Sequence, residues 1–387
     1  VIARIYSSEN EVFRFALEDI YNQAEKDVHF KGFDFIILSV SPVYPVEDMN
    51  FQVKKIYGID GDKFLAFHSI NNIFNREILS GVTACFIKFE REGKINTFPA
   101  NGVSEFESNG LVKKTADFLK DRKDNLNVIF AGLSNGKFAF FLDRLNEELE
   151  GNCRNIFGGV SSGYESRGDV LTYQFHSDKV IDDGFVILSF ENVDYSSGIA
   201  LGFEPVGPIY EVTESDGLRV YSIDGSSAVY LVERLLEGIE PKNIKFLWYT
   251  PVVILDDDEG YVSVLRTFKT FAKEYEDRFI EFYAPVYEKQ HFRLSFATSE
   301  MLVSSVKREA LKVKSRVKVP DLVFDFSCVA RQHILGEKGK QELKVCSEIL
   351  DAPIFGFSTY GEIGPDKMFR KLKLYNETTI LVAVKER

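Results

Sequence analysis

Two stretches of the chain, 198 residues apart, carry the same order of residues, and a long-range repeat limits the fold more than composition does. Phe157-Gly158-x-x-Ser161-x-Gly163 matches Phe355-Gly356-x-x-Thr359-x-Gly361. Upstream, residues 128–134, ending in Ser134, align with residues 321–327, ending in Ser327. Downstream, residues 185–190 align with 379–384. Each copy runs helix, strand, helix, strand, strand. A weaker copy opens the chain, with a helix at 8–26, a strand at 33–39, a helix at 48–58 and strands at 63–69 and 81–89. Apolar strands that alternate with one-sided helices form a sheet layered by helices. Short links and the terminal strand pair make that sheet mixed. The expected fold is α/β (mixed α+β), with two related halves, 1–198 and 199–387, each a mixed β-sheet flanked by helices.

The helices are readable from their apolar faces. Residues 8–26 align Phe13, Leu17, Ile20 and Ala24, with Ser8-x-x-Glu11 as a capping box. Residues 137–150 stack Phe138, Phe141, Leu142, Leu145 and Leu149, and 299–314 stack Leu302, Val306, Ala310 and Val313. Further helices are expected at 110–123 and 340–350. The third quarter is richer in strands, at 218–223, 244–254, 261–268, 279–287 and 291–297, with a helix at 226–237. Tyr195-Ser-Ser-Gly198 reads as the boundary between the halves. Asp256-Asp-Asp-Glu-Gly260 reads as a turn, because it lacks the spaced ligands and distal Glu of a calcium loop.

At 387 residues with 45% hydrophobic side chains, the chain holds more than one core. Its net charge of −12 repels phosphates, which argues against nucleic acid and anionic membrane surfaces as partners. The four cysteines, Cys85, Cys153, Cys328 and Cys346, form no CxxC pair, as expected of a reduced, cytoplasmic protein. No apolar run has membrane-spanning length, and no basic-then-apolar leader opens the sequence. The five histidines show no metal-ligand spacing, so neither metal nor cofactor is expected.

Polar and glycine residues gather at the ends of apolar strands in the last 65 residues, where α/β proteins place ligand sites. Arg331 is suited to fork onto a ligand carboxylate, or to brace two loops by pairing with Glu362. Cys328 is either a small buried residue or a nucleophile with His333 or Glu362 as base. Gly361, within the run Gly356 to Gly364, brings backbone N–H groups toward a ligand or makes a tight turn. Ser161 and Gly163 hold the matching place in the earlier copy. Asn376 offers both a donor and an acceptor. Arg266 stands in an apolar strand, on an exposed or a cleft-lining face.

Across residues 200–387 the sequence resembles the FIST family of sensory domains. The resemblance rests on Cys328, Arg331, Leu335-Gly336, Pro353, Gly356, Gly361-Glu362-Ile363-Gly364 and Asn376-x-Thr378. It extends upstream to Gly202-Phe203-Glu204-Pro205-Val206-Gly207-Pro208, Val212-Thr213 and Asp224-Gly225. Ala330 and Tyr375 depart from it, standing where Gly and His are usual. The resemblance implies an N-terminal-like domain over 1–198 and a C-terminal-like domain over 199–387. It also implies binding of small ligands, amino acids among them, and output through a separate signalling partner. No turnover is expected, because no base–nucleophile–orienter set is legible in the sequence. A haem-based gas sensor with one axial histidine, a cysteine- or arginine-dependent hydrolase of small amides or esters, and a purely structural scaffold are the alternatives.

Overall fold

The computed structural model describes residues 2–387 except 60, 167–168, 240–242, 256–261 and 273–277. The expected turn at Asp256–Gly260 lies outside the described residues.

The chain is α/β with mixed sheets flanked by helices, and its repeat unit occurs three times. The first copy comprises strand Ile2–Ser8, helix Phe13–Lys26, strand Phe35–Val40, helix Met49–Tyr57, and strands Phe64–His68 and Val82–Lys88. Phe35–Val40 runs parallel to Phe64–His68 and antiparallel to Val82–Lys88, which pairs in turn with Ile2–Ser8. The second copy repeats this order with strands Lys94–Asn101, Leu126–Ala131, Ile156–Ser161 and Gly184–Glu191 and helices Leu111–Lys120 and Lys137–Leu149. The third uses strands Val193–Ala200, Leu322–Cys328, Ile354–Pro365 and Thr379–Glu386 with helices Ser299–Arg316, Val329–Leu335 and Gly339–Leu350.

Copies two and three join edge to edge. Ile156–Ser161 pairs antiparallel with Ile354–Pro365, so one central sheet runs through both halves of the chain about a local twofold. The first copy's sheet packs face to face on this one, with the Phe67 ring 4.4 Å from Phe357 and 4.9 Å from Phe130. Helices cover both outer faces. The result is four layers, helix–sheet–sheet–helix, and it explains why strands such as Leu322–Cys328 are buried along their whole length.

Within copy three, between strand Val193–Ala200 and helix Ser299–Arg316, the chain builds a separate antiparallel sheet from Glu204–Ser215 through His291–Phe296. Strand Glu204–Ser215 was not expected from its Pro205, Gly207 and Pro208. The pairing with His291–Phe296 accommodates them by shifting register between Val206 and Tyr210.

Tyr195–Gly198, expected as the boundary between the halves, lies within the edge strand Val193–Ala200, where Gly198 admits the close approach of Glu309. Other expectations need correction. Residues Ile244–Tyr249 form a 3-10 helix started by Asn243, whose side chain accepts from the Lys245 amide, and the strand covers only Val252–Leu255. Ser8 ends a strand and caps no helix; its hydroxyl donates to Asp19. The repeat alignment slips in one strand. Ile129 lies opposite Gly158 and Asp325 opposite Gly356, which makes Ala131, not Ser134, the counterpart of Ser327. A strand buried on both faces has no alternation to fix its register in the sequence.

Candidate functional site

The C-terminal motif residues converge around a buried core. Residues 376–378 link strand Leu372–Tyr375 to Thr379–Glu386, with Glu377 at φ 59°. The Cys328 amide donates to the Thr378 carbonyl at 3.0 Å. Thr378 donates to Glu362 Oε2 from its amide at 3.2 Å and its hydroxyl at 2.5 Å, and the Thr359 hydroxyl donates to Oε1. Arg331 is 0% exposed. Its Nε and Nη2 fork onto Glu342 at 3.3 and 2.7 Å. Nη1 donates to the Leu201 and Glu377 carbonyls at 3.0 and 3.4 Å, and Nη2 also donates to the Leu302 carbonyl at 2.9 Å. The expected fork is present, but its partner is Glu342 instead of Glu362 or a ligand. All five N–H groups are engaged within the protein.

Acids outnumber bases in this core. Burial raises the carboxyl of Asp325 to about 7 and those of Glu362 and Glu377 to about 8. Asp325 accepts from the Thr379 hydroxyl at 2.7 Å. Glu377 Oε1 accepts from Thr267 at 2.9 Å, whereas Glu377 Oε2 and Asn376 Oδ1 are buried without a partner among the described residues. Burial, then Glu362 and Glu377, push the Cys328 thiol up, away from the thiolate a nucleophile needs. His333 packs edge-on against Trp248 at 5.4 Å and Tyr249 at 6.2 Å, and no hydrogen bond joins it to Cys328. Gly132-Leu-Ser-Asn-Gly136 has the G-x-S-x-G form, with Ser134 at φ 47° between a strand and a helix. Its hydroxyl is buried and has no hydrogen-bond partner among the described residues, so none of them is placed as its base.

The other motif positions form the seam of the central sheet. Thr359 lies opposite Ser161, Gly361 opposite Val160, and Glu362 opposite Gly159. Ser161 accepts from Gln174 at 3.1 Å. The Gly163 carbonyl accepts from the Tyr360 hydroxyl. At Gly361 a Cβ would meet the Leu374 side chain at 2.8 Å, so this glycine serves close packing.

Arg266 is the candidate that faces a cleft. The cleft, about 340 Å³, lies between helix Lys137–Leu149, the inserted sheet and strand Leu372–Tyr375. Arg266 is 7% exposed, which excludes the open-face alternative. Nε donates to the Pro285 carbonyl at 2.8 Å, and Nη1 to the Leu265 and Leu374 carbonyls at 2.9 and 2.8 Å. It makes no ion pair among the described residues. Burial lowers its guanidinium to about 10 against the opposing pull of Asp143 and Tyr287. Asp143, on the cleft wall, accepts from the Tyr287 hydroxyl. Lys371 and Lys373 also line it. These four residues belong to no motif, although Lys371-x-Lys373 at a strand start puts two cations on one face. A wider cleft of about 750 Å³ borders the first copy, but there Lys88 and Lys94 already hold Asp34 and Glu191 at 2.8 and 2.9 Å.

Among the described residues no His, Cys, Asp and Glu cluster is arranged to hold a metal ion, and no helix is long and apolar enough to cross a membrane. An uncharacterised protein of Aquifex aeolicus is 39% identical over 259 residues, covering 66% of this chain and 96% of that protein. Uncharacterised proteins of Mycobacterium bovis and Mycobacterium tuberculosis are each 23% identical over 233 residues, with 58% of either chain covered. The family model of the FIST N domain matches residues 35–226 and that of the FIST C domain matches 228–365, and with both in sequence this chain belongs to the FIST family.

Proposed function

We propose that the chain is a small-ligand-binding sensory protein whose ligand occupies the Arg266 cleft. FIST domains are associated with sensory signal transduction. The observation that carries the proposal is a buried guanidinium that donates to carbonyls and makes no ion pair among the described residues, with Asp143 acting on it only across the cleft. Burying a cation without a directly paired counter-ion is costly, and such a group is retained where a ligand supplies the missing contact. Amino acids are the first class to consider, because Arg266 suits a carboxylate and Asp143 an ammonium. Thr267, next to Arg266, touches Glu377 in the motif core, which gives a bound ligand a path toward the central sheet. The output then passes to a separate signalling partner. Four free, buried thiols suit a reducing compartment such as the cytoplasm.

Thermal-shift measurements with the amino acids and short-chain acids, on wild type and Arg266→Gln, test this. The expected result is a stabilising ligand whose shift is lost in the variant. A shift that survives in the variant places the ligand elsewhere.

A further inference from the structure

Accepting the Arg266 cleft as the ligand site, we infer that it takes a small molecule bearing two anionic groups. Three cationic side chains line it, Arg266, Lys371 and Lys373, against the single carboxylate of Asp143. Asp143 is already bound by the Tyr287 hydroxyl. Neither Lys371 nor Lys373 forms an ion pair among the described residues. The chain as a whole has 59 acidic and 47 basic side chains, so this local excess of cations runs against the general composition.

The cations come from two directions. Arg266 projects from strand Val262–Arg266 of the inserted sheet and reaches the Leu374 carbonyl. Lys373 is the residue beside Leu374, and Lys371 lies two positions before it on the same face. Nη2 is the Arg266 nitrogen that meets no acceptor among the described residues; one anionic group on it leaves the two ammonium groups without a counter-charge, and a second group on the same molecule supplies it. Lys373 reports the same excess, because burial, followed by Arg266 and Lys371, lowers its ammonium below the usual lysine range despite Asp143 and Asp366. The remaining polar lining, Ser263 and Gln290, is neutral. A volume of about 340 Å³ suits a compact molecule. Dicarboxylates and phosphate monoesters share the required chemistry.

Isothermal titration of wild type, Arg266→Gln and Lys373→Met with succinate, glycerol phosphate, acetate and L-alanine, at one ionic strength, tests the inference. Succinate or glycerol phosphate should bind at least about tenfold more tightly than acetate, and whichever binds tighter identifies the anion. Lys373→Met should reduce that preference to about twofold or less while the melting temperature hardly changes, since Lys373 has no ion pair to lose. Acetate or alanine binding as tightly as succinate, with dependence on Arg266, overturns the two-anion inference and leaves the cleft as the ligand site. No Arg266-dependent binding by any of the four overturns both.

Discussion

Thr267 donates a 2.9 Å hydrogen bond to Glu377, and this bond joins the wall of the cleft to the motif core. On one side of it stands Arg266, on the cleft; on the other, the Glu377 carbonyl holds Arg331, which ties helices Ser299–Arg316 and Gly339–Leu350 together. Replacing Thr267 with Val keeps the shape and removes the donor. Glu377 is then buried with both oxygens unpartnered, a loss of about 1–3 kcal/mol. Urea denaturation should show that loss, and an unchanged midpoint would mean that the bond contributes nothing.

Arg331 is an anchor within the protein. Arg331→Met leaves Glu342 buried and unpaired and should cost about 3–5 kcal/mol. Arg331→Lys keeps the charge but loses the planar fork, and should also destabilise. Binding measured on the folded protein should change by no more than a few-fold in Arg331→Lys. A large loss of affinity at unchanged stability would return Arg331 to the ligand site.

Stability should depend on pH through the buried acids. Their folded-state values, about 7 for Asp325 and about 8 for Glu362 and Glu377, lie above those of the unfolded chain. The folded protein therefore retains protons that the unfolded chain releases. Their contribution is fully present below the ordinary carboxylate range and is lost as pH rises through 7 to 8. Melting temperature should fall between pH 5 and about 8.5. Glu362→Gln should flatten that slope, and an identical slope in the variant would assign the dependence to other groups.

Gly158 and Gly356 occupy equivalent places in copies two and three. A Cβ would lie 1.9 Å from the Ile129 carbonyl oxygen in one and 2.1 Å from that of Asp325 in the other. Backbone atoms cannot yield as a flexible side chain does, so alanine at either site should cost about 1–3 kcal/mol or more, and by similar amounts. Gly339→Ala is the control, since its Cβ would meet Ile78 at an ordinary 3.5 Å on a helix. A tolerated alanine at one of the first two sites and not the other would show that the copies pack differently.

The layers were legible because long apolar strands and one-sided helices alternate in the sequence. The leading strand of each copy was not. Ile2–Ser8, Lys94–Asn101 and Val193–Ala200 are edge strands, and the last two carry Pro99 and Gly198. Cys328 ends strand Leu322–Cys328, Arg331 follows it in a helix, and Glu362 lies inside the neighbouring strand Ile354–Pro365, so it is strand adjacency that gathers them. Arg331's partner was hidden, since Glu342 sits in a helix where an acid ordinarily faces water. Asp325, the one acid in the otherwise uncharged strand Leu322–Cys328, was the readable mark of the buried acid cluster. The cleft draws on residues 143, 266, 287, 371 and 373, which only the inserted sheet brings together.

The location of a bound ligand tests the central claim most directly. A crystal structure of the complex with the tightest-binding molecule of the titration should place an anionic group about 2.7–2.9 Å from the Arg266 guanidinium, with a second group facing Lys371 or Lys373. A ligand found against Arg331, or in any other cleft while the Arg266 cleft holds only solvent, would contradict the account.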